Sequence, residues 1–167
     1  MLISHNWLKK YVNLPDSISA MEVAAKLKAA TVEVEGVEIQ GKDLDGVVVG
    51  KVISAEKHPN ADKLKVCKVD VGDGGVGARH ALPVQIVCGG SNVVAGMLVA
   101  LAKVAMPDGR QGAKVKWHGE GELVELKPIT IRGVESMGMI CASTEIGLGE
   151  MFPLHEEKEI LDLSVIL

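Results

Sequence analysis

Apolar residues recur at helical spacing in the first thirty positions and at strand spacing after them. Ser4 can cap a short amphipathic helix over Asn6–Val12, with Trp7, Leu8 and Tyr11 or Val12 on its buried side, and Leu14-Pro15-Asp16 breaks it. Ser19-Ala20-Met21-Glu22 has the S-x-x-E form of a capping box. Met21, Val23 or Ala24, Leu27 and Ala30 continue at helical spacing, which predicts a helix over Ala20–Ala29. Thr31–Ile39 then alternates apolar with acidic residues, the pattern of a strand. Residues 1–39 are thus predicted to form a small α+β appendage. It is too short for a secure core of its own and is expected to pack on a neighbour.

Gly41-Lys42-Asp43-Leu44-Asp45-Gly46 is a polar, glycine-bounded linker that divides the chain. The expected regions are 1–39, 40–150 and 151–167. Short β-type runs follow the linker: Val47–Ser54, Leu64–Val71, Val84–Cys88, Met97–Met106, Lys114–Trp117 and Leu123–Ile131. Asp73-Gly74-Gly75 and Pro107-Asp108-Gly109 supply turn chemistry between them. The alternation slips by one residue between Val66 and Cys67, which predicts a bulge or a strand buried on both faces. A short helix or turn is predicted from Ser143 to Ile146. Five or six short strands with no long helix between them point to a small closed barrel.

Composition narrows the class. Hydrophobic residues are 47 % of the chain but aromatics only 2 %, so the core must be aliphatic. No apolar run approaches the roughly 18 residues of a membrane span, and the N-terminus lacks the basic and apolar regions of a signal peptide. A cytoplasmic protein with no membrane partner is expected. Cys67, Cys88 and Cys141 are odd in number, widely spaced and include no C-x-x-C pair. They read as small apolar residues in a reducing compartment, and no metal site is expected. The net charge of −4 is unevenly spread: residues 50–132 carry 12 Lys/Arg against 8 Asp/Glu, whereas residues 133–167 carry 1 against 7. The basic bias therefore coincides with the turn-rich strands, a modest footprint for a nucleic-acid partner.

Three segments carry candidate chemistry. In His58-Pro59-Asn60-Ala61-Asp62-Lys63, proline keeps His58 extended while Asn60 and Asp62 form turns. The segment is either only a well-made turn, or one that holds Lys57, His58 and Lys63 where phosphates could be met. Gln85-Ile86-Val87-Cys88-Gly89-Gly90-Ser91-Asn92 ends a strand in a loop. It lacks the G-K-[ST] of a phosphate-binding P-loop, and nothing nearby would activate Cys88 as a nucleophile. In Arg132-Gly133-Val134-Glu135-Ser136-Met137-Gly138-Met139-Ile140-Cys141 the glycines allow close backbone approach. Arg132 and Ser136 could bond sugar and phosphate there, while Met137 and Met139 suit a core. No carboxylate pair, metal cluster or triad stands out, so no catalytic residue is expected.

These segments, together with Val49-Gly50-Lys51-Val52, Val69-Asp70-Val71-Gly72, Asn92-Val93, Gly96-Met97 and Glu145-Ile146-Gly147-Leu148, resemble the tRNA-binding OB-fold module of several synthetases and free-standing tRNA-binding proteins. Met1–Val12 and Thr31–Glu38 resemble the start of the bacterial phenylalanyl-tRNA synthetase β subunit. The resemblance implies a mainly β protein: a five-stranded OB-fold barrel with extra loops plus the N-terminal appendage. It implies tRNA-binding roles for Lys57, His58, Asn60, Asp62, Lys63, Asn92, Arg132 and Ser136. It also implies a non-catalytic N-terminal fragment without its own cofactor. That fragment would assist tRNA binding in an (αβ)2 heterotetramer whose catalytic α subunit uses ATP and Mg to attach phenylalanine. Ile160–Leu167 stops in mid apolar pattern, as a fragment would. Other readings are a free-standing dimeric tRNA-binding or chaperone-like protein, and a docking module for subunit assembly. Two stretches depart from the family pattern: a lengthened turn over Gly74–Leu82, and a longer insertion between Ala102 and Lys127 holding Arg110, Lys114, Lys116, Trp117 and His118. With so few aromatics, recognition is expected to rest on shape and backbone rather than base stacking.

Overall fold

Val47–His58 (β1) is rich in β-branched valine and pairs on both edges, with Ala61–Asp70 (β2) on one side and Leu98–Lys103 (β4) on the other. This is seen in a computed structural model that describes residues 2–72, 83–105, 109 and 111–166. Val84–Cys88 (β3) extends the sheet beyond β2, and Gly138–Ile140 (β9) extends it beyond β4, all antiparallel. The two outer strands then meet. Met137 N–H donates to the Gln85 carbonyl at 2.9 Å, and Val87 N–H donates to Ser136 Oγ at 3.0 Å. The result is a nearly closed five-stranded barrel, as the turn-rich pattern predicts, with the OB fold that the resemblance implies.

The strand count is higher than the five or six expected. Leu123–Ile131 splits into Leu123–Glu125 (β6) and Ile129–Ile131 (β7), interrupted at Pro128, which has no N–H to continue a ladder. Val134–Ser136 (β8) pairs with β7. Strands β8 and β9 are three residues each, too short for alternation to reveal them. The slip at Val66/Cys67 is no bulge in β2, whose residues 65–68 pair in unbroken register with both β1 and β3; Val66 is half-buried and Cys67 buried, so the strand is covered on both faces there. A bulge does occur in β1, where Val52 pairs with Val69 and Ser54 with Lys68, leaving Ile53 unpaired.

The barrel interior is aliphatic, built on Val52, Cys67, Val69, Ile86, Val99, Leu101 and Ile140. Strand β4 is buried on both faces. Val99 and Leu101 point inward, while Ala100 and Ala102 face a second cluster with Ala113, Val115, Leu126 and Cys141. That second layer comes largely from the insertion after Ala102, which folds as a hairpin of Lys114–Lys116 (β5) and β6. Gly112 lets it approach: a Cβ there would lie 2.4 Å from the Leu126 carbonyl oxygen.

Residues 151–167, expected to begin another region, belong to the barrel unit, which spans 41–167. Ile160 enters the barrel core and Leu161 the second cluster. Leu163 packs partly on the second cluster as well, whereas Val165 and Ile166 are exposed.

The other compact unit is residues 1–40. Its helices are His5–Leu8 (α1), shorter than predicted, and Ala20–Ala30 (α2). The capping box forms: Glu22 N–H donates to Ser19 Oγ at 3.2 Å and Ser19 N–H to Glu22 Oε2 at 2.8 Å. The Ser19 N–H, joined by the Ser19 hydroxyl at 2.8 Å from the same Oε2, holds the Glu22 carboxyl below its ordinary range. Two expectations fail here. Trp7, Tyr11 and Val12 are exposed rather than buried, because a four-residue helix has no layer to cover them. Thr31–Ile39 forms no strand, because an alternating segment needs a partner strand and this unit supplies none. The turn at Asp73-Gly74-Gly75, the stretch Gly74–Leu82, Pro107-Asp108 and Arg110 lie outside the described residues. Among the described residues no helix is long and apolar enough to cross a membrane.

Candidate nucleic-acid interface

His58 and Ala61 pair across a two-residue turn, Pro59-Asn60. The next ladder pair is Lys57 with Lys65, so β1 advances one residue while β2 advances four. Asp62, Lys63 and Leu64 are therefore looped out of the ladder. They form part of a shallow groove of about 350 Å³ that is also lined by Ala55, Lys57, Lys65, Gly89, Gly90, Ser91 and Lys158. Four lysines from three separate segments thus converge on one concavity with a single carboxylate.

The cations are not equivalent. Lys57 pairs with Asp62 at 2.7 Å on the exposed rim. Lys65 is half-buried and its ammonium donates to the Val93 carbonyl at 2.7 Å and the Ser91 carbonyl at 3.5 Å. It fixes the loop after β3 rather than reaching into solvent. Lys158 is held in a left-handed conformation, φ 65°, with its carbonyl accepting from Ser91 N–H at 3.0 Å. Its ammonium is 3.7 Å from Glu157, both ends exposed. Lys63 is exposed and has no ion-pair partner among the described residues. Lys63 and Lys158 are the groove cations most open to an anion.

Four of the polar residues expected at RNA instead hold the barrel together. His58 is 2 % exposed: Nδ1 accepts from Asn60 N–H at 3.0 Å, so Nε2 carries the proton and donates to the Ile131 carbonyl at 3.1 Å. Ser136 is 1 % exposed, accepting from Val87 N–H and donating to the Gly138 carbonyl at 3.0 Å. Asn92 binds the peptide of Ile160 from both sides, donating to its carbonyl at 3.0 Å and accepting from its N–H at 2.9 Å. Asn60 donates through Nδ2 to the Arg132 carbonyl at 3.0 Å. For His58, Ser136 and Asn92 the physical reason is shared: buried or half-buried backbone groups at the barrel seam, its first turn and its C-terminal strap need partners, and these side chains supply them. Asn60 is exposed, and its bond ties two surface turns together.

Lys57, Asn60, Asp62, Lys63 and Arg132 are exposed: Lys57, Asp62 and Lys63 in the groove, and Arg132 in the β7–β8 turn tied to Asn60. Sequence reasoning missed Lys65 and Lys158. The register jump that brings Lys65 to the groove has no signal in residue type, and Lys158 reaches the groove across 67 residues from Ser91.

None of the three thiols is prepared as a nucleophile. Burial pushes the Cys67 thiol up to about 12 and raises Cys88 and Cys141 as well. Glu145, half-buried beside Ala142 and His118, is also raised by burial. Its carboxylate accepts from Ala142 N–H at 2.7 Å as a cap. No group of three or more His, Cys, Asp or Glu residues could hold a metal ion among the described residues.

Residues 47–162 match the family described as "Putative tRNA binding domain". The chain is 42 % identical over 162 residues to the phenylalanine–tRNA ligase beta subunit of Halalkalibacterium halodurans, covering 97 % of this chain and 17 % of that protein. It is 43 % identical over 152 residues to the same subunit from Oceanobacillus iheyensis, covering 91 % of this chain and 16 % of that protein. The subunit from Bacteroides thetaiotaomicron is also 43 % identical over 152 residues, across 89 % of this chain and 16 % of its own length. The chain thus spans about a sixth of the length of these relatives.

Proposed function

The chain belongs to the tRNA-binding domain family, and from that premise we propose that it assists tRNA binding as part of a phenylalanine–tRNA ligase β subunit. The observation that supports this reading is the convergence of Lys57, Lys63, Lys65 and Lys158 on one groove, with Arg132 on a turn stapled to the groove's own hairpin. Phosphates meet Lys63, Lys158 and Arg132 first. Lys57 joins once it exchanges Asp62 for a phosphate oxygen, and Lys65 holds the loop after β3 in place. The complete ligase would join a catalytic α subunit, take ATP and Mg there, and attach phenylalanine in the cytoplasm. This chain contributes binding and no bond-making residue to that reaction.

Tethering by three or four phosphate contacts makes affinity fall steeply with salt. The test is tRNA binding by the 167-residue chain across a salt series. The expected log–log slope is about −2 to −3, reduced by roughly one for Lys63→Glu. Salt-independent binding, or a slope untouched by reversing Lys63, would overturn the reading.

A further inference from the structure

We propose that the groove takes one unpaired nucleotide of the RNA, with its base on the groove's apolar surface and its flanking phosphates on the lysines. This deepens the tRNA-binding reading and rests on it. Here the cations surround a depression of about 350 Å³, near the lower end of the roughly 300–1,000 Å³ typical of small-ligand sites. Such a depression has room for a nucleotide.

The lining supports the same assignment. Between the lysines lie Ala55, Leu64, Gly89 and Gly90. A phosphate gains nothing from these groups, but the face of a base does, whatever its identity. Leu64 is there because the three-residue loop-out of β2 takes it off the ladder, where its neighbours would otherwise turn it to a sheet face. The opposite wall is set before any ligand arrives. Gly90 N–H donates to Cys88 Sγ at 3.2 Å, Ser91 N–H to the Lys158 carbonyl, and Lys65 to the Val93 carbonyl. A prepared cavity loses little conformational freedom on binding. Splayed-out bases of loops and ends are the parts of tRNA that can enter it.

Gly89 offers a way to fill the cavity without touching charge. Its φ lies outside the left-handed region, and an added Cβ would first meet Leu64 Cδ2 at 3.4 Å, an ordinary contact. The experiment measures binding of tRNA, a single-stranded oligouridylate and a fully paired RNA duplex at one salt concentration. It uses the unaltered chain and the Gly89→Leu, Leu64→Ser and Lys63→Glu variants, each checked by thermal melting. The unaltered chain should prefer tRNA and the oligouridylate over the duplex by about 10-fold, and Gly89→Leu should remove that preference while leaving duplex binding unchanged. Leu64→Ser should lower single-strand binding alone, which keeps the test open should Gly89→Leu fold poorly. If both variants leave the preference intact while Lys63→Glu weakens all three ligands, the nucleotide site is overturned and the electrostatic reading stands. If Lys63→Glu weakens none of them, both fall.

Discussion

The Asn60 carboxamide donates to the Arg132 carbonyl at 3.0 Å, and the Arg132 guanidinium donates back to the Asn60 carbonyl at 3.4 Å. Two tight turns, distant by 72 positions, are locked by this exchange. The Arg132-Gly133 turn has φ 47° and 91°, the mirror-image geometry that suits the twist of a two-residue hairpin. Arginine is a costly choice at its first position, by about 1 kcal/mol relative to glycine. Arg132→Gly should therefore leave stability unchanged or raise it by up to ~1 kcal/mol, while tRNA affinity drops several-fold. Thermal melting and a binding titration read the two effects separately. A loss of both would mean that Arg132 serves the turn rather than the RNA.

His58 should behave in the opposite way. Its ring fills a buried position and bonds two backbone groups, the Asn60 N–H and the Ile131 carbonyl. His58→Ala leaves both unsatisfied and opens a cavity, at about 2–4 kcal/mol. For a domain of this size that lowers Tm by several degrees. The affinity of the fraction still folded should change less than about twofold, since a buried ring adds no term to the salt dependence. A variant with normal Tm and lost binding would return His58 to the RNA.

These two residues show where residue type stops being informative. The long β-branched run of β1 and the five-residue Val84–Cys88 strand carry enough pattern to be read directly. Strands β8 and β9, three residues each and separated by a single methionine, do not. Thr31–Ile39 has the alternation but no partner, and alternation without a ladder is only extended chain. At the site, the sequence reveals polar residues clustered around turns but not whether they face out or in. His58, Asn92 and Ser136 face backbone groups because a barrel closed by short strands leaves seams that need donors and acceptors. Lys65 and Lys158 become site residues only through a register jump and a returning C-terminal strap.

Ser136 tests the seam itself. Its hydroxyl takes the place of a backbone acceptor for Val87 N–H where β3 meets the β8–β9 segment. Ser136→Ala orphans a buried amide and should cost about 1–3 kcal/mol. Amide hydrogen exchange at Val87 should speed up by at least 10-fold, while exchange in the middle of β1 follows only the global change. Equal acceleration throughout the barrel would show that the seam does not open on its own.

The three thiols link stability to alkaline pH. Cys67 ionises near 9 in an unfolded chain but only at about 12 in the barrel, and burial raises the other two in the same direction. A folded pKa above the unfolded one gives a contribution that is complete below pH 9. It is lost progressively as pH rises from 9 towards 12, because unfolding then releases protons. Chemical denaturation between pH 8 and 11 should show this decline, and Cys67→Ser should flatten it. In the folded protein at pH 8 a thiol reagent should label none of the three until denaturant is added. Rapid labelling of Cys88 in the native state would contradict its buried, protonated state.

Asp62 gives the sharpest charge test, because among the described residues it is the one carboxylate lining the lysine groove and it already holds Lys57 at 2.7 Å. Both side chains are largely exposed, so the pair itself adds little to stability. Its effect should fall on binding: the carboxylate competes with phosphate for Lys57 and repels the backbone entering the groove. Asp62→Asn keeps the shape and removes the charge. Tighter tRNA binding by about 2- to 5-fold at low salt is expected, with the gain shrinking as salt screens the site. Tm should stay within about 1 °C, as an exposed pair implies. Weaker binding by the variant would mean that the carboxylate accepts a hydrogen bond from the RNA. Asp62 would then be a recognition residue, as its place in the sequence signature first implied.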